Sequence, residues 1–331
     1  MSGKVLIAGG YLVLDPAYTG IVLRLNCSIR CDCQEFKSMI VETQFGTYPQ
    51  VENSYIDASL KILNIYLLSK DIKFSPLKIT VKSDPIFYEN GKLGLGSSSA
   101  LCTSICQSVL QFYGFHNALD LFKISSLSHF MAQGKVGSGF DVAAAVFGSC
   151  IYKKPFIFDN LAIHLDNIKD LLLTDWNIDV KPLSWPKCWH ILMFSFSTGE
   201  STITNSKLYL EWKSKSHSNT GCLSIIDAIE LSTKQLITAI HLQDELMLKS
   251  TFSNLIDQYK HLGDDCNIEI IPKQCLVMFN EVFQLDSCIG GMCPGAGGKD
   301  AVFLVSNITN DQNLIKLAKN HGFKIVNITV Y

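Results

Sequence analysis

The chain has 331 residues, of which 47% are hydrophobic and 18% are charged, and this composition excludes an intrinsically disordered protein. Its formal net charge of -2 provides no global basic field, which argues against binding to nucleic acid but leaves a small anionic substrate open. The first apolar run is too short for a signal peptide, and no stretch approaches the roughly 20 apolar residues of a membrane span. We therefore expect a cytoplasmic protein without a membrane partner.

Alternating and helical spacings of apolar residues predict a mixture of strands and helices in the first half of the chain. The predicted strands are residues 5–8, 11–14, 21–29, 38–43 and 77–81. The predicted helices are residues 56–68, 100–113, 121–133 and 141–147. The first two strands are separated by Gly9-Gly10, a pair of residues that favours a turn.

A break in this pattern divides the chain into two parts. Pro182 and Pro186 interrupt the periodicity, and a new apolar strand begins at His190. We therefore expect one domain at residues 1–185 and a second at 186–331. The elements predicted for the second are strands at 190–196, 301–305 and 324–330, and helices at 202–212, 224–259 (as more than one helix) and 312–321. Strands and helices in both parts predict an α+β protein of two domains.

The twelve cysteines and eight histidines show no spacing typical of a metal site. Paired CxxC knuckles and an HExxH helix are both absent from the sequence. Because no secretory signal is predicted, we interpret the cysteines as reduced, buried thiols rather than as disulfides. The scattered histidines are interpreted as structural or surface residues.

A glycine- and serine-rich segment precedes the helix predicted from residue 100. It reads Lys92-Leu93-Gly94-Leu95-Gly96-Ser97-Ser98-Ser99. Glycines allow the backbone to approach an anion, free N–H groups at a helix start point towards it, and serine hydroxyls bind phosphate oxygens or Mg²⁺. Lys92 adds positive charge beside these groups. The alternative is a flexible turn with a serine N-cap, and the segment is neither a P-loop nor a dinucleotide-binding GxGxxG motif.

A second glycine-rich loop, residues 134–140, leads into the helix that begins near Asp141. Lys135, Ser138 and three glycines in one short loop suit an anionic acceptor, with a carboxylate close to a transferring phosphoryl group. Alternatively, Asp141 only complements the helix dipole.

Three further segments carry candidate residues. Lys4 lies in the first strand, before Gly9-Gly10-Tyr11, although an isolated lysine is ordinarily solvated. Residues 294–300 form a glycine-rich segment that suits either a substrate-contacting backbone or a tight turn between strands. Residues 197–202, rich in hydroxyls, suit an anion site, but a simple helix cap is the favoured interpretation.

Taken in this order, the segments resemble the motifs of the galactokinase, homoserine kinase, mevalonate kinase and phosphomevalonate kinase (GHMP) superfamily. Counterparts of its three motifs stand at residues 3–11, 94–100 and 294–301, which together span nearly the whole chain. Within the superfamily, residues 8–15, 92–98 and 132–145 are similar to fungal-type phosphomevalonate kinases. Gly10 stands where mevalonate kinases more often have a glutamate.

This resemblance implies a fold, a reaction and a set of site residues. The fold would pair an N-terminal domain like ribosomal protein S5 domain 2 with a C-terminal ferredoxin-like domain. The reaction would transfer the γ-phosphoryl group of ATP, with Mg²⁺, to 5-phosphomevalonate. Lys4 and Asp141 would be catalytic, and Ser98 or its neighbour Ser97 would ligate the metal. The residues implied for ATP are Lys92, Gly94, Leu95, Gly96, Ser97, Ser98 and Ser99. The residues implied for the acceptor are Tyr11, Gln133, Lys135, Ser138, Gly139, Ser201 and Gly297.

Two roles are open for Asp141: accepting a proton from the acceptor, and orienting Lys4 and the acceptor. A phosphate monoester has a second pKa of about 6, so the acceptor is already largely dianionic at neutral pH and needs little help from a base. We therefore expect Asp141 chiefly to orient Lys4 and the acceptor. The alternative functions are another GHMP enzyme, such as mevalonate kinase or diphosphomevalonate decarboxylase, and a relative that binds ligand without catalysis.

Overall fold

The computed structural model describes residues 1–89, 93–161, 167–196, 205–216 and 220–330. The strands are β1 Ser2–Ala8, β2 Gly20–Glu35, β3 Ile40–Thr43, β4 Gly46–Tyr48, β5 Leu77–Ser83, β6 Cys150–Lys153, β7 Asp179–Pro182, β8 His190–Phe196, β9 Cys288–Met292, β10 Ala301–Ser306 and β11 Phe323–Val326. The α-helices are α1 Ser54–Leu68, α2 Ile86–Glu89, α3 Ser97–Phe112, α4 Ala118–Gln133, α5 Phe140–Phe147, α6 Ile168–Leu173, α7 Asn205–Ser216, α8 Thr220–Leu242, α9 Glu245–Cys266, α10 Lys273–Val282 and α11 Gln312–Asn320. Short 3-10 helices lie at Gly10–Leu14 and Phe156–Asn160.

The first sheet is built around the long strand β2. Its strand order is β4-β3-β5-β2-β6-β7, and β1 also pairs with β2. All pairings are antiparallel except that of β3 with β5. The first residues of β2 are buried on both faces, whereas the later ones alternate, because helices α3 and α5 pack against β2. This arrangement brings the starts of both helices towards β1, which carries Lys4.

The second sheet has the strand order β11-β8-β10-β9, with every neighbouring pair antiparallel. In chain order this is the 4-1-3-2 arrangement of a ferredoxin-like β-α-β-β-α-β unit. Helix α9 packs on β9, and the Phe252 ring occupies the space above Gly290, where an added Cβ would lie 2.3 Å from it. The predicted domain boundary at 185/186 falls between β7, in the first sheet, and β8, in the second.

Helices of the second part hold the segment that follows the 3-10 helix Gly10–Leu14. The Glu230 carboxylate on α8 accepts hydrogen bonds from the Thr19 N–H and hydroxyl, both at 2.9 Å. Lys213 on α7 pairs with Asp15, and its ammonium lies 5.2 Å from the centroid of the Tyr18 ring. Helices α7 and α8 of the second part therefore hold the connection between β1 and β2 in the first part.

Most predicted elements are present, but some differ in type or extent. Residues 11–14 form a buried 3-10 helix, so the prediction of a strand there was wrong: one turn of helix buries Tyr11, Leu12 and Val13 together. The final strand ends at Val326, and beyond it Val330 forms an isolated β-bridge with Leu25. The predicted helix at 202–212 corresponds to α7 from Asn205 onwards, and residues 202–204 lie outside the described residues.

The cysteine side chains that the structure describes are mostly buried, as the sequence predicted, and they are not joined in disulfides. Cys188 is the exposed exception. Among the described residues, no helix combines the length and the apolar character needed to cross a membrane.

Candidate active site

The glycine- and serine-rich segment forms the start of α3. Gly96 precedes the helix with a φ of 78°, in the left-handed region, and provides no side-chain cap. The N–H groups of the first turn have no acceptor within a helix, so they remain directed out of the N-terminus, where they favour an anion. The Ser99 hydroxyl is buried and donates to the Gly96 carbonyl at 2.8 Å, whereas Ser97 and Ser98 are half-buried. Ser97 and Ser98 therefore present hydroxyls beside the free amides, and Ser99 closes the turn.

Lys4 is held beside this loop from two sides. Its ammonium donates to the Gly94 carbonyl at 2.6 Å and lies 4.9 Å from the centroid of the Phe140 ring. The Lys4 N–H also donates to the carbonyl of Leu95, whose side chain is buried in the core. Burial lowers the pKa of Lys4, and the carboxylates of Asp141 and Asp300 partly oppose that shift. The site thus places a partly desolvated cation at the mouth of the α3 N-terminus.

Asp141 lies in the first turn of α5. The helix follows Gly139, where a Cβ would lie 2.7 Å from Phe158, so the chain can pass this point only as glycine. The Tyr152 hydroxyl donates to the Ser138 carbonyl at 2.6 Å and fixes the loop before the helix. The Asp141 side chain is 20% exposed, and one of its oxygens accepts from the Val142 N–H at 3.0 Å. Its second oxygen remains directed towards α4 and the cleft.

A cleft of about 230 Å³ lies between these elements and the second part of the chain. Five of the predicted acceptor-binding residues line it: Tyr11, Gln133, Lys135, Ser138 and Gly139. Asp141 lines it as well, and Ser206, Gly295 and Ala296 contribute from the second part. The Tyr11 hydroxyl donates to the Ala296 carbonyl at 2.8 Å, and burial raises its pKa above the ordinary value. The phenol is therefore already engaged in joining the two parts.

Among the described residues predicted to bind the acceptor, Gly297 does not line this cleft. Gly297 packs against the backbone of Ile270: a Cβ there would lie 2.2 Å from the Ile270 oxygen, to which the Gly298 N–H donates at 2.8 Å. Gly297 therefore fixes the loop rather than facing the cleft. Lys92 and Ser201, like the whole of the predicted anion site at 197–202, lie outside the residues that the structure describes.

His129 on α4 is a site residue that the sequence analysis missed. Its Nε2 lies 3.0 Å from the Ser98 hydroxyl oxygen, 3.0 Å from the Gln133 amide nitrogen and 3.8 Å from an Asp141 carboxylate oxygen. Only 4% of its side chain is exposed. The available signal was its position four residues before Gln133, on the helical face that leads into the glycine-rich loop.

The grouping of Ser98, His129 and Asp141 differs from a hydrolytic triad. In a triad the serine and the carboxylate engage opposite ring nitrogens, so that the carboxylate orients the base. Here both oxygens face the same nitrogen, Nε2. The geometry does not suit activation of Ser98 as a nucleophile, and it leaves the hydroxyl available as a ligand.

The donor set suits Mg²⁺ that is held together with substrate phosphates. The Ser98 hydroxyl and the Asp141 carboxylate are hard oxygen ligands, and Mg²⁺ commonly takes one or two protein oxygens plus phosphate oxygens and water. No group of three or more histidine, cysteine or acidic side chains in the described ranges forms a protein-only metal site.

Comparisons with known proteins agree with this architecture. A family model described as the GHMP kinases N terminal domain matches residues 57–149. The chain is 28% identical to the phosphomevalonate kinase of Gibberella zeae, covering 92% of this chain and 86% of that one. It is 27% identical to the phosphomevalonate kinase of Saccharolobus solfataricus, covering 93% of this chain and 90% of that one.

Two solved structures show the same fold over the whole chain. The Lin0012 protein from Listeria innocua superposes with a TM-score of 0.86 at 20% identity, with 100% of this chain and 98% of that one covered. The Streptococcus pneumoniae phosphomevalonate kinase, in complex with phosphomevalonate and AMPPNP, gives a TM-score of 0.81 at 17% identity and the same coverage. Together with the match of the family model to residues 57–149, these structures show that the chain has the GHMP kinase fold.

Proposed function

We propose that this chain catalyses the transfer of the γ-phosphoryl group of ATP to (R)-5-phosphomevalonate, giving (R)-5-diphosphomevalonate and ADP. The observation that carries the proposal is the position of Lys4, between the carbonyl of Gly94 in the phosphate loop and the helix that presents Asp141 to the cleft. A cation held there lies between a nucleotide on α3 and an acceptor in the cleft. The proposal includes a cytoplasmic location and a role in supplying isoprenoid and sterol precursors.

The start of α3 would hold the nucleotide phosphates. Its uncapped N–H groups and the hydroxyls of Ser97 and Ser98 are the donors, and Gly94 and Gly96 let the backbone approach closely. Ser98 is the side chain that would ligate Mg²⁺, which supplies neutralisation of charge on the phosphate oxygens when bound. Lys4 would add its charge to the oxygens of the transferring group, in a partly desolvated setting where that charge acts strongly.

The cleft would hold the acceptor. Lys135 and Gln133 are exposed at its rim and supply a charge and an amide, while Tyr11 and Ser138 form more buried parts of the wall. Because the acceptor phosphate is largely dianionic at neutral pH, the harder task is to bring two polyanions together. We infer that Asp141 orients Lys4 and the acceptor rather than removing a proton.

A coupled assay of ADP release tests the proposal. Mevalonate, phosphomevalonate, diphosphomevalonate, homoserine and galactose are offered separately as acceptors with ATP and Mg²⁺. We expect turnover with phosphomevalonate, and strong loss of it in Lys4→Met. Turnover with mevalonate but not with phosphomevalonate would refute the choice of substrate. Tight ligand binding without ADP release from any acceptor would indicate a non-catalytic relative.

A further inference from the structure

His129 occupies an unusual position for a histidine in a helix core. Its ring stacks on the Tyr55 ring, with centroids 5.7 Å apart and an angle of 27° between the planes. The ring edge carrying Nε2 faces Ser98 and Gln133, each at 3.0 Å. We propose that His129 is a positioning residue, which holds the Ser98 hydroxyl in the orientation needed to ligate Mg²⁺. This inference rests on the proposed phosphoryl transfer.

The neighbours of Nε2 favour an unprotonated nitrogen. The Ser98 hydroxyl can donate to it, and the Gln133 amide nitrogen can only donate, so the two compete for or share the single lone pair of Nε2. A hydrogen on Nε2 would instead seek the Asp141 carboxylate, which remains at 3.8 Å, beyond hydrogen-bonding distance. When Ser98 donates its hydrogen to His129, both lone pairs of the serine oxygen stay free for a cation. The contact therefore prepares the hydroxyl as a ligand as well as fixing its rotamer.

The other ring nitrogen argues against a purely structural role. His129 Nδ1 is buried and has no hydrogen-bond partner among the residues that the structure describes. An unpaired buried polar atom costs about 1–3 kcal/mol, and an apolar ring would fill the same space beside Tyr55 without that cost. A histidine with an unpaired Nδ1 is explained at this position if its Nε2 is needed for the contacts with Ser98 and Gln133.

His129 also joins two halves of the site. Ser98 belongs to the phosphate loop, whereas Gln133 and Asp141 line the acceptor cleft. His129 Nε2 lies within 3.8 Å of a polar atom of Ser98, of Gln133 and of Asp141. A displaced His129 would therefore disturb both the oxygen ligand on the nucleotide side and Gln133 in the cleft.

A double-mutant cycle on ligand binding tests the proposal. The full chain is titrated with AMPPNP by calorimetry, with and without Mg²⁺, for the wild type, His129→Phe, Ser98→Ala and the double variant. Phenylalanine keeps a ring to stack on Tyr55 and removes both nitrogens. We expect His129→Phe to weaken the Mg²⁺-dependent gain in affinity by about 10- to 100-fold, the range for residues that orient metal ligands. Affinity for metal-free AMPPNP should change less than about twofold, because the proposed contact acts through the metal ligand. In the Ser98→Ala background, the same substitution should add almost nothing.

Two amide variants keep the test decisive if the phenylalanine variant does not fold. His129→Gln places an amide near the position of Nε2, whereas the shorter His129→Asn does not reach Ser98. Glutamine should recover most of the lost Mg²⁺-dependent affinity, and asparagine should not. In steady-state kinetics, the loss should appear mainly in the apparent KM for Mg²⁺.

Three results would overturn the inference. These are an equal loss in the wild-type and Ser98→Ala backgrounds, an equal loss with and without Mg²⁺, and no difference between the glutamine and asparagine variants. The cycle does not depend on the acceptor. A failure of the wild type to release ADP with any acceptor would therefore refute the proposed function without deciding the result for His129.

Discussion

Replacing Gly297 by alanine tests how firmly the loop between β9 and β10 is held in place. An alanine Cβ would lie 2.2 Å from the backbone oxygen of Ile270, whereas ordinary contacts begin near 3.4 Å. The backbone oxygen cannot turn aside as a side chain would, so the loop itself has to move by about an ångström. That movement breaks the hydrogen bond from the Gly298 N–H to the same oxygen.

Gly295 provides a matched control in the same loop. Both glycines have φ in the left-handed region, 64° at Gly295 and 70° at Gly297, but a Cβ at Gly295 meets no atom within 4 Å. Alanine in this conformation costs about 1–2 kcal/mol at either position. At Gly297 the lost hydrogen bond adds about 1 kcal/mol, before any further strain. We expect Gly297→Ala to be destabilised by about 2–4 kcal/mol, and Gly295→Ala by about half as much.

Urea denaturation followed by circular dichroism measures this difference from the shift in midpoint at a common slope. Steady-state kinetics provide a second measurement, because movement of the loop displaces the Ala296 carbonyl that Tyr11 contacts in the cleft. Gly297→Ala should therefore raise the acceptor KM severalfold. Equal destabilisation of the two variants would refute the reasoning, since only the contact with Ile270 distinguishes them.

Three other predictions concern charge and hydrogen bonding at the site. Lys4→Met should lower kcat by about 10²- to 10³-fold, as loss of one preorganised donor does. The control Lys82→Met, at a side chain 73% exposed, should leave kcat unchanged. A Lys4→Met kcat within threefold of wild type would contradict the catalytic role of Lys4. Because the Asp141 carboxylate raises the pKa of Lys4, Asp141→Asn should lower it further and move the alkaline limb of the pH–rate profile to lower pH. The acidic limb, from the acceptor phosphate with its second pKa of about 6, should remain, and its loss would instead favour Asp141 as a base. Tyr11→Phe removes the donor to the Ala296 carbonyl. It should lower the free energy of unfolding, measured in urea, by about 1–3 kcal/mol and raise the acceptor KM. An unchanged free energy of unfolding would show that this hydrogen bond contributes little.

The parts of the site that could be predicted from the sequence are those whose chemistry is local. The uncapped start of α3 at Gly96 and that of α5 at Gly139 follow from glycine and serine patterns within a few residues. The placement of Lys4 beside Gly94 required the family resemblance, because 90 residues separate the two. The His129 contact with Ser98 joins two helices, and no local pattern encodes it.

The errors in the fold have similar causes. Tyr11 to Val13 look like a strand because all are apolar, but they are buried together in a single turn of 3-10 helix. Strand β9 was not predicted because Gly290 and Gly291 disfavour strands. Its glycines are explained by packing from other elements: Phe252 lies over Gly290, and Leu304 of the neighbouring strand lies against Gly291. Tertiary contacts decided the conformation at both places.

The two-sided hold on Lys4 has a consequence for how the site is assembled. Immobilising a free lysine side chain costs about 1.5–2 kcal/mol of conformational entropy. Here the Gly94 carbonyl and the Phe140 ring already restrict the side chain, so folding bears this cost and ligand binding does not. Because burial lowers the pKa of Lys4, its charged form costs some folding stability, and in return the cation needs little rearrangement when a ligand binds. Selection for thermostability alone would therefore be expected to replace Lys4 early, and such variants would serve as stable, ligand-binding scaffolds without transfer activity.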